Sequence, residues 1–194
     1  KTIQGLYDLC DVLERYMPIG TLTMVELGCY KGDSTRAWAE HFRTVHAVDP
    51  WCPGYDNQDK ASKINGELIE RDFDMNTRGY KNIIKHKQFS FDAAHNFENQ
   101  SISFVYIDAE HTYSALSRDI KAWLEKVRSD GFAGGHDYKK KWPEVMKVVQ
   151  DEFRASDWVF SDSSWIVELN PSRLRNVKAL FNLVRRKIIP DAIN

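Results

Sequence analysis

The sequence predicts an α/β fold: a mostly parallel, seven-stranded sheet with helices on both faces and an antiparallel hairpin at its end. Three observations predict it. Short apolar runs alternate with amphipathic stretches at helical spacing, the pattern of βαβ units. A turn bearing two glycines, "VELGCYKGDST" at 25–35, follows the first strand-like run. Polar residues (Glu26, Asp49, Ser90, Asp108 and Asp137) fall at or just past the carboxyl ends of the strands, where parallel sheets bind ligands.

The elements follow in order. "IQGLYDLCDVLERYM" places Leu6, Leu9, Cys10, Leu13 and Met17 at helical spacing, and Pro18 and Gly20 end that helix. "TLTMVEL" is a buried-strand candidate, followed by the glycine loop and a helix from about Ser34 to Phe42. "TVHAVD" is the second strand, and the stretch from Trp51 to Asp59 has loop composition. A helical stretch reaches about Asn76, "NIIKHK" is the third strand, and "DAAHNF" a short helix. "ISFVYID" is the fourth strand, and "YSALSRDIKAWLEKV" an amphipathic helix with Leu116, Ile120, Trp123, Leu124 and Val127 on one side. "GFAGGHD" is the fifth strand, and "WPEVMKVVQDEF" a helix with Pro143 just inside its start, where a missing N–H costs nothing. "WVFS" and "SWIVEL" form the closing hairpin.

A chain of 194 residues suits one main domain, expected over residues 21–170, with an N-terminal amphipathic helix at 1–20 and a basic tail at 171–194. A net charge of −1 carries no basic excess of the kind nucleic-acid binding needs. Three scattered cysteines, Cys10, Cys29 and Cys52, form neither a disulfide framework nor a zinc motif, which suits a reducing compartment. No apolar run approaches the ~18–20 residues of a membrane span, and the start lacks a secretory pattern. A cytoplasmic protein is expected.

The glycine loop carries the chemistry. Gly28 lets the chain turn off its strand, and Gly32 lets backbone approach a neighbour closely. Ser34 and Thr35 are placed to cap the next helix or to offer a hydroxyl to an anionic group. Asp49 stands 21 positions after Gly28, near the ~20-residue offset of a ribose-binding carboxylate. Together they indicate a nucleoside-bearing cofactor. The loop reads Glu-x-Gly-x-x-x-Gly-x-Ser, not GxGxxG, which disfavours a dinucleotide and an NAD(P)-dependent oxidoreductase.

That spacing resembles motif I of the class I S-adenosylmethionine-dependent methyltransferases. "FVYIDAEHTYSALSRDIKAWLEKVRSDGFAGGHDY", residues 104–138, resembles the small bacterial and phage methyltransferases with an IDAxHxY…GHDY signature. The resemblance spans roughly Met24 to Leu169, and the glycine loop is also similar to that of the magnesium-dependent catechol O-methyltransferases.

The resemblance implies a Rossmann-like fold and assigns roles. Glu26, Gly28 and Tyr30 would line the methionine end of the cofactor, with Gly32 in the same loop and Ser34 on the carboxylate. Asp49 would take the ribose, Ser90 would sit near the adenine with Phe89 or Phe91 against the ring, and Asp108 would lie beside the sulfonium and the acceptor. His111, three residues on, falls where the catechol enzymes place a catalytic lysine and would act as base. Asp108, His136 and Asp137 would surround a divalent ion. Mg²⁺, the ion of the catechol enzymes, prefers oxygen, whereas a histidine with two carboxylates suits Mn²⁺, Fe²⁺ or Zn²⁺ equally well; metal-free chemistry, with His136 orienting the acceptor, is the other arrangement. The implied activity is O-methylation of a sugar or sugar-bearing small molecule; a non-catalytic binding module on the same fold is the alternative. Trp51, Tyr55 and Trp142 are candidates for the acceptor wall, whereas His41, His46, His86 and His95 show no ligand spacing.

After Pro171, Leu174, Val177, Leu180, Phe181, Val184 and Ile188 recur at helical spacing among arginines and lysines. Such a basic helix suits docking on its own domain, a homodimer, or an anionic membrane surface.

Overall fold

The computed structural model describes residues 3–54, 56 and 60–170. The basic tail and Tyr55 lie outside the described residues. In chain order the elements are α1 (Gln4–Glu14), β1 (Thr23–Leu27), α2 (Asp33–His41), β2 (Thr44–Val48), α3 (Gly66–Thr77), β3 (Ile83–His86) and α4 (Ser90–Ala93). There follow β4 (Ile102–Ile107), α5 (Tyr113–Leu124), β5 (Val127–Gly135), α6 (Pro143–Phe153), β6 (Trp158–Val159) and β7 (Trp165–Glu168).

The seven strands form one sheet in the order β3-β2-β1-β4-β5-β7-β6. The pairs from β3 to β5 are parallel, and β7 runs antiparallel to both β5 and β6. Every residue of β4 is buried, as the middle strand of a sheet covered on both faces requires. Its side chains alternate between two cores. Phe104 and Tyr106 face α1 and α2, packing with Leu9, Leu13 and Trp38. Val105 and Ile107 face α5 and α6, packing with Leu116, Ile120, Trp123 and Val148. α1 therefore shares the core of the sheet instead of standing apart from it.

Register sets the functional edge. Leu27 pairs with Val48 and with Ile107, and Ile107 pairs with Gly135. Gly28, Asp49, Asp108 and His136 thus leave the sheet at one level, around the β1–β4 junction where the strand order reverses. Crevices form at such junctions because neighbouring crossovers diverge to opposite faces.

Several local expectations shift. β5 starts at Val127, earlier than "GFAGGHD" implied, because it pairs with Ile102 before an irregularity brings Phe132 opposite Phe104. The helix expected at "DAAHNF" starts at Ser90 and continues as a single 3-10 turn, Ala94–Asn96. α2 begins at Asp33 with Gly32 at its N-cap, at φ +82°, and neither Ser34 nor Thr35 caps it. Thr35 instead donates its hydroxyl to Glu26.

Candidate functional site

Gly28 enters the cleft at φ +84°, and a Cβ there would lie 2.1 Å from the carbonyl oxygen of Asp108. The turn after β1 is therefore pressed directly onto the chain leaving β4. Gly32 is needed for a different contact: a Cβ would meet Thr77 and Phe73 of α3 at 2.8 and 2.9 Å. It fixes the loop to α3 and does not line the cleft.

Tyr30 and Trp51 both hold positive φ, +48° and +44°, a conformation unfavourable for bulky residues. One side chain holds both. Asp49 accepts the N–H of Tyr30 at 2.9 Å on one oxygen and that of Trp51 at 2.7 Å on the other. Burial raises the Asp49 carboxyl above its ordinary value, while these backbone bonds pull it down. A carboxylate has about four acceptor positions, so Asp49 retains capacity for a ligand. The Trp51 indole donates to Tyr30 O at 2.9 Å and sits in a buried cluster with Cys29, Ile69 and Phe73. Trp51 is a core residue, not an acceptor wall.

Glu26 is fully buried beneath the loop. It accepts from Thr35 Oγ1 at 2.5 Å and from Trp38 Nε1 at 3.1 Å. Burial lifts its carboxyl to about 7, against hydrogen bonds from Ser34, Thr35 and Trp38. Its visible task is to tie β1 to α2.

The cleft has a volume of about 340 Å³ and runs from Tyr30 and Asp49 past Gly28 to Asp108, His111 and Asp137, with Phe89, Ser90 and Asp119 at its far side. Ser90 donates to Asp119 Oδ2 at 2.5 Å, and Trp123 Nε1 donates to Ser90 O at 3.0 Å. Asp119 is 2% exposed, and its Oδ1 has no hydrogen-bond partner. Burial pushes this carboxyl up to about 6. Its Oδ1 is ion-paired with Arg118 Nε at 3.8 Å.

At the other end, His111 is clamped. Its Nδ1 lies 3.0 Å from Asp56 Oδ2, its Nε2 2.8 Å from Asp137 Oδ2, and its ring stacks on Trp142 at 4.1 Å and 12°. Burial opposes charging of the imidazole, but the Asp137, Asp56 and Asp108 carboxylates outweigh it and raise the histidine above its usual value. Burial alone would raise Asp137; hydrogen bonds from His111, His136 and Lys139 hold it far below the carboxylate range. Ligand atoms of Asp108, His111 and Asp137 all lie within 4.8 Å of one another. His136 Nδ1 is 3.2 Å from Asp137 and 3.8 Å from Asp108.

The strand-end residues expected from the sequence thus converge: Gly28, Tyr30, Asp49, Ser90, Asp108, His111 and Asp137 share one cleft. Asp56, Asp119 and Lys139 were missed. Asp56 lies in a loop without periodicity, Asp119 reads as the polar side of an amphipathic helix, and Lys139 reads as part of a charge run. His46 and His86, set aside as structural, face each other across β2 and β3 at 2.9 Å.

The strand order, the lone antiparallel β7 and the crevice at the β1–β4 junction define the Rossmann-like fold of the class I S-adenosylmethionine-dependent methyltransferases. Residues 25–138, more than half of the chain, match a family described as a methyltransferase domain, and the chain belongs to that family. Solved structures share the fold at low identity. An rRNA methylase from Streptococcus thermophilus matches with a TM-score of 0.57 and 12% identity, over 84% of this chain and 93% of that one. A precorrin 8w decarboxylase from Methanobacterium thermoautotrophicum matches with a TM-score of 0.53 and 14% identity, over 84% and 85%. The phosphoethanolamine N-methyltransferase 1 of Haemonchus contortus, in complex with phosphoethanolamine and S-adenosylhomocysteine, matches with a TM-score of 0.51 and 15% identity. That match covers 70% of this chain and 26% of the other, so the chain spans about a quarter of that enzyme's length. No curated protein matches the chain in sequence. No helix among the described residues is long and apolar enough to cross a membrane.

Proposed function

We propose that the cleft binds S-adenosylmethionine and that the chain transfers its methyl group to a hydroxyl of a sugar or sugar-bearing small molecule. The observation that carries this reading is the convergence of Asp49 and Asp108 on either side of Gly28, with Ser90 and Asp119 lining the far side of the same cleft. In this reading Asp49 takes the ribose hydroxyls, and Asp119 and Ser90 meet the edge of the adenine. Gly28, Tyr30 and Asp108 border the methionine portion, with Ser34 toward its carboxylate and Glu26 supporting the loop from below. The S-adenosylhomocysteine held by the Haemonchus contortus relative supports the cofactor class.

The transfer is an in-line displacement. The acceptor oxygen forms a bond to the methyl carbon while the carbon–sulfur bond breaks, its electron pair returning to sulfur, and S-adenosylhomocysteine leaves. Holding the reactants in line supplies much of the acceleration. The hydroxyl proton passes to His111 Nε2 once the acceptor has taken the place of Asp137 at that nitrogen. Asp56, on Nδ1, keeps the ring oriented.

Asp108, His111 and Asp137 would alternatively hold a divalent ion, an arrangement in which His111 Nε2 would be a ligand and not the base. Asp56 on Nδ1 leaves Nε2 as the ligand atom, the usual orientation of a ligating histidine. Two carboxylates and an imidazole suit Mn²⁺ better than Mg²⁺. Such an ion would supply Lewis acidity to an acceptor oxygen.

Calorimetric titration with S-adenosylhomocysteine tests the reading. Binding to the wild type, weakened about tenfold or more in Asp49→Ala through loss of a charge-assisted contact, is the expected result. Folded protein that binds no S-adenosylhomocysteine would refute it.

A further inference from the structure

Between β5 and α6 the chain folds tightly: Lys139 N donates to Asp137 O, and Trp142 N to Lys139 O, each at 2.8 Å. Three consecutive lysines, Lys139, Lys140 and Lys141, lead directly into Trp142, the ring that covers His111. Lys139 is part of the site itself, its ammonium 2.5 Å from Asp137 Oδ1 and 3.3 Å from Ser163 Oγ. Lys140 and Lys141 are exposed, with Lys141 Nζ 5.2 Å from the centre of the Trp142 ring.

The carboxylates around this rim are already engaged. Glu144 accepts from Tyr113 N at 2.5 Å, and Asp162 accepts from Ser164 N and Oγ. Among the described residues no carboxylate pairs with Lys140 or Lys141, whereas Lys31, Lys87, Lys121 and Lys147 each have one and Lys85 has two. Three adjacent cations, two of them uncompensated, repel one another and concentrate anions at the mouth of a cleft. Lysine meets phosphate as a compact charge with several donors.

We infer that the methyl acceptor carries a phosphate or diphosphate group, which Lys139, Lys140 and Lys141 bind while its hydroxyl lies at Asp108 and His111. This rests on the methyltransferase reading. The phosphate is a handle and is unchanged by the reaction. It competes with Asp137 for Lys139, so docking of the acceptor and release of the Asp137 carboxylate occur together. A sugar monophosphate and a nucleoside-diphosphate sugar both present this chemistry.

The test is calorimetry on the full chain saturated with S-adenosylhomocysteine, titrated with inorganic phosphate and, separately, with pyrophosphate. Wild type is compared with the Lys140→Ala/Lys141→Ala double variant, whose two changes are exposed and leave the core untouched. Binding of either anion, weakened about tenfold in the double variant while S-adenosylhomocysteine affinity stays the same, is expected. Preference for pyrophosphate would assign the diphosphate source, and preference for phosphate the monoester. Protein that binds S-adenosylhomocysteine but neither anion, or binds them equally in both forms, would overturn the inference. Loss of S-adenosylhomocysteine binding by the wild type would instead overturn the underlying reading.

Discussion

His111 is held between two carboxylates of unrelated origin, one from the loop after β2 and one from the end of β5. A residue gripped on both nitrogens is positioned more strictly than one that merely caps a helix, and that cap belongs to Thr112. His111→Ala is expected to lower the methyl-transfer rate roughly a hundredfold or more, the usual contribution of general acid–base catalysis. S-adenosylhomocysteine affinity should change little, because the proposed reading puts the residue at the acceptor end of the cleft. An unchanged single-turnover rate would contradict the base assignment. Lys139 makes a second prediction at this scale. Its ammonium lies 2.5 Å from Asp137 Oδ1 and would compete with a divalent ion for that carboxylate's charge, so Lys139→Met should tighten Mn²⁺ binding, measured by calorimetry, by about tenfold. Weaker Mn²⁺ binding in that variant would show that the ion and the lysine do not share Asp137.

At the scale of elements, β1 and α2 are joined through a carboxyl that folding prefers to keep protonated. Glu26 stands at about 7 in the folded protein against an ordinary value of 4.5. Because the folded value is the higher one, its contribution to stability is complete below about 4.5 and is lost as pH rises through 7. The loss is on the order of 3 kcal/mol. Urea denaturation at pH 5 and pH 8 should show wild type losing more stability on going to the higher pH than Glu26→Gln does. Equal losses in the two proteins would assign the ionisation elsewhere. α4 and α5 are joined in a comparable way, through Ser90, Asp119 and Trp123. There the polar contacts border the cleft, so the helix pair shapes the far end of the proposed cofactor site.

For the molecule as a whole, the parallel sheet was legible in the sequence because buried strands and amphipathic helices differ in period. The residues that issue from strand ends were legible for the same reason: Asp49 and Asp108 inherit their positions from "TVHAV" and "ISFVYI". Asp56, Asp119 and Lys139 reach the cleft by tertiary packing of a loop, a helix flank and a turn, and no local pattern marks that arrival. Ser34 and Thr35 look like caps in isolation, yet a buried glutamate nearby takes the Thr35 hydroxyl. Gly28 links the whole arrangement, since its Cα and the Asp108 carbonyl leave no space for a methyl group. Gly28→Ala is expected to cost several kcal/mol of stability, from the positive φ and the overlap together. It should also reduce S-adenosylhomocysteine binding, checked by thermal melts with and without that ligand. A variant as stable and as responsive as wild type would show that the contact can relax.

The level register of β1, β2, β4 and β5 has one more consequence. If all the chemistry leaves the sheet at one rim, the opposite rim, where Phe42 and Arg43 lead into β2 and Gln100 and Ser101 lead into β4, is a place to hold the protein by. A dye, a surface tether or a fused reporter attached there would leave the reacting edge facing outward, so turnover could be watched on a single immobilised molecule.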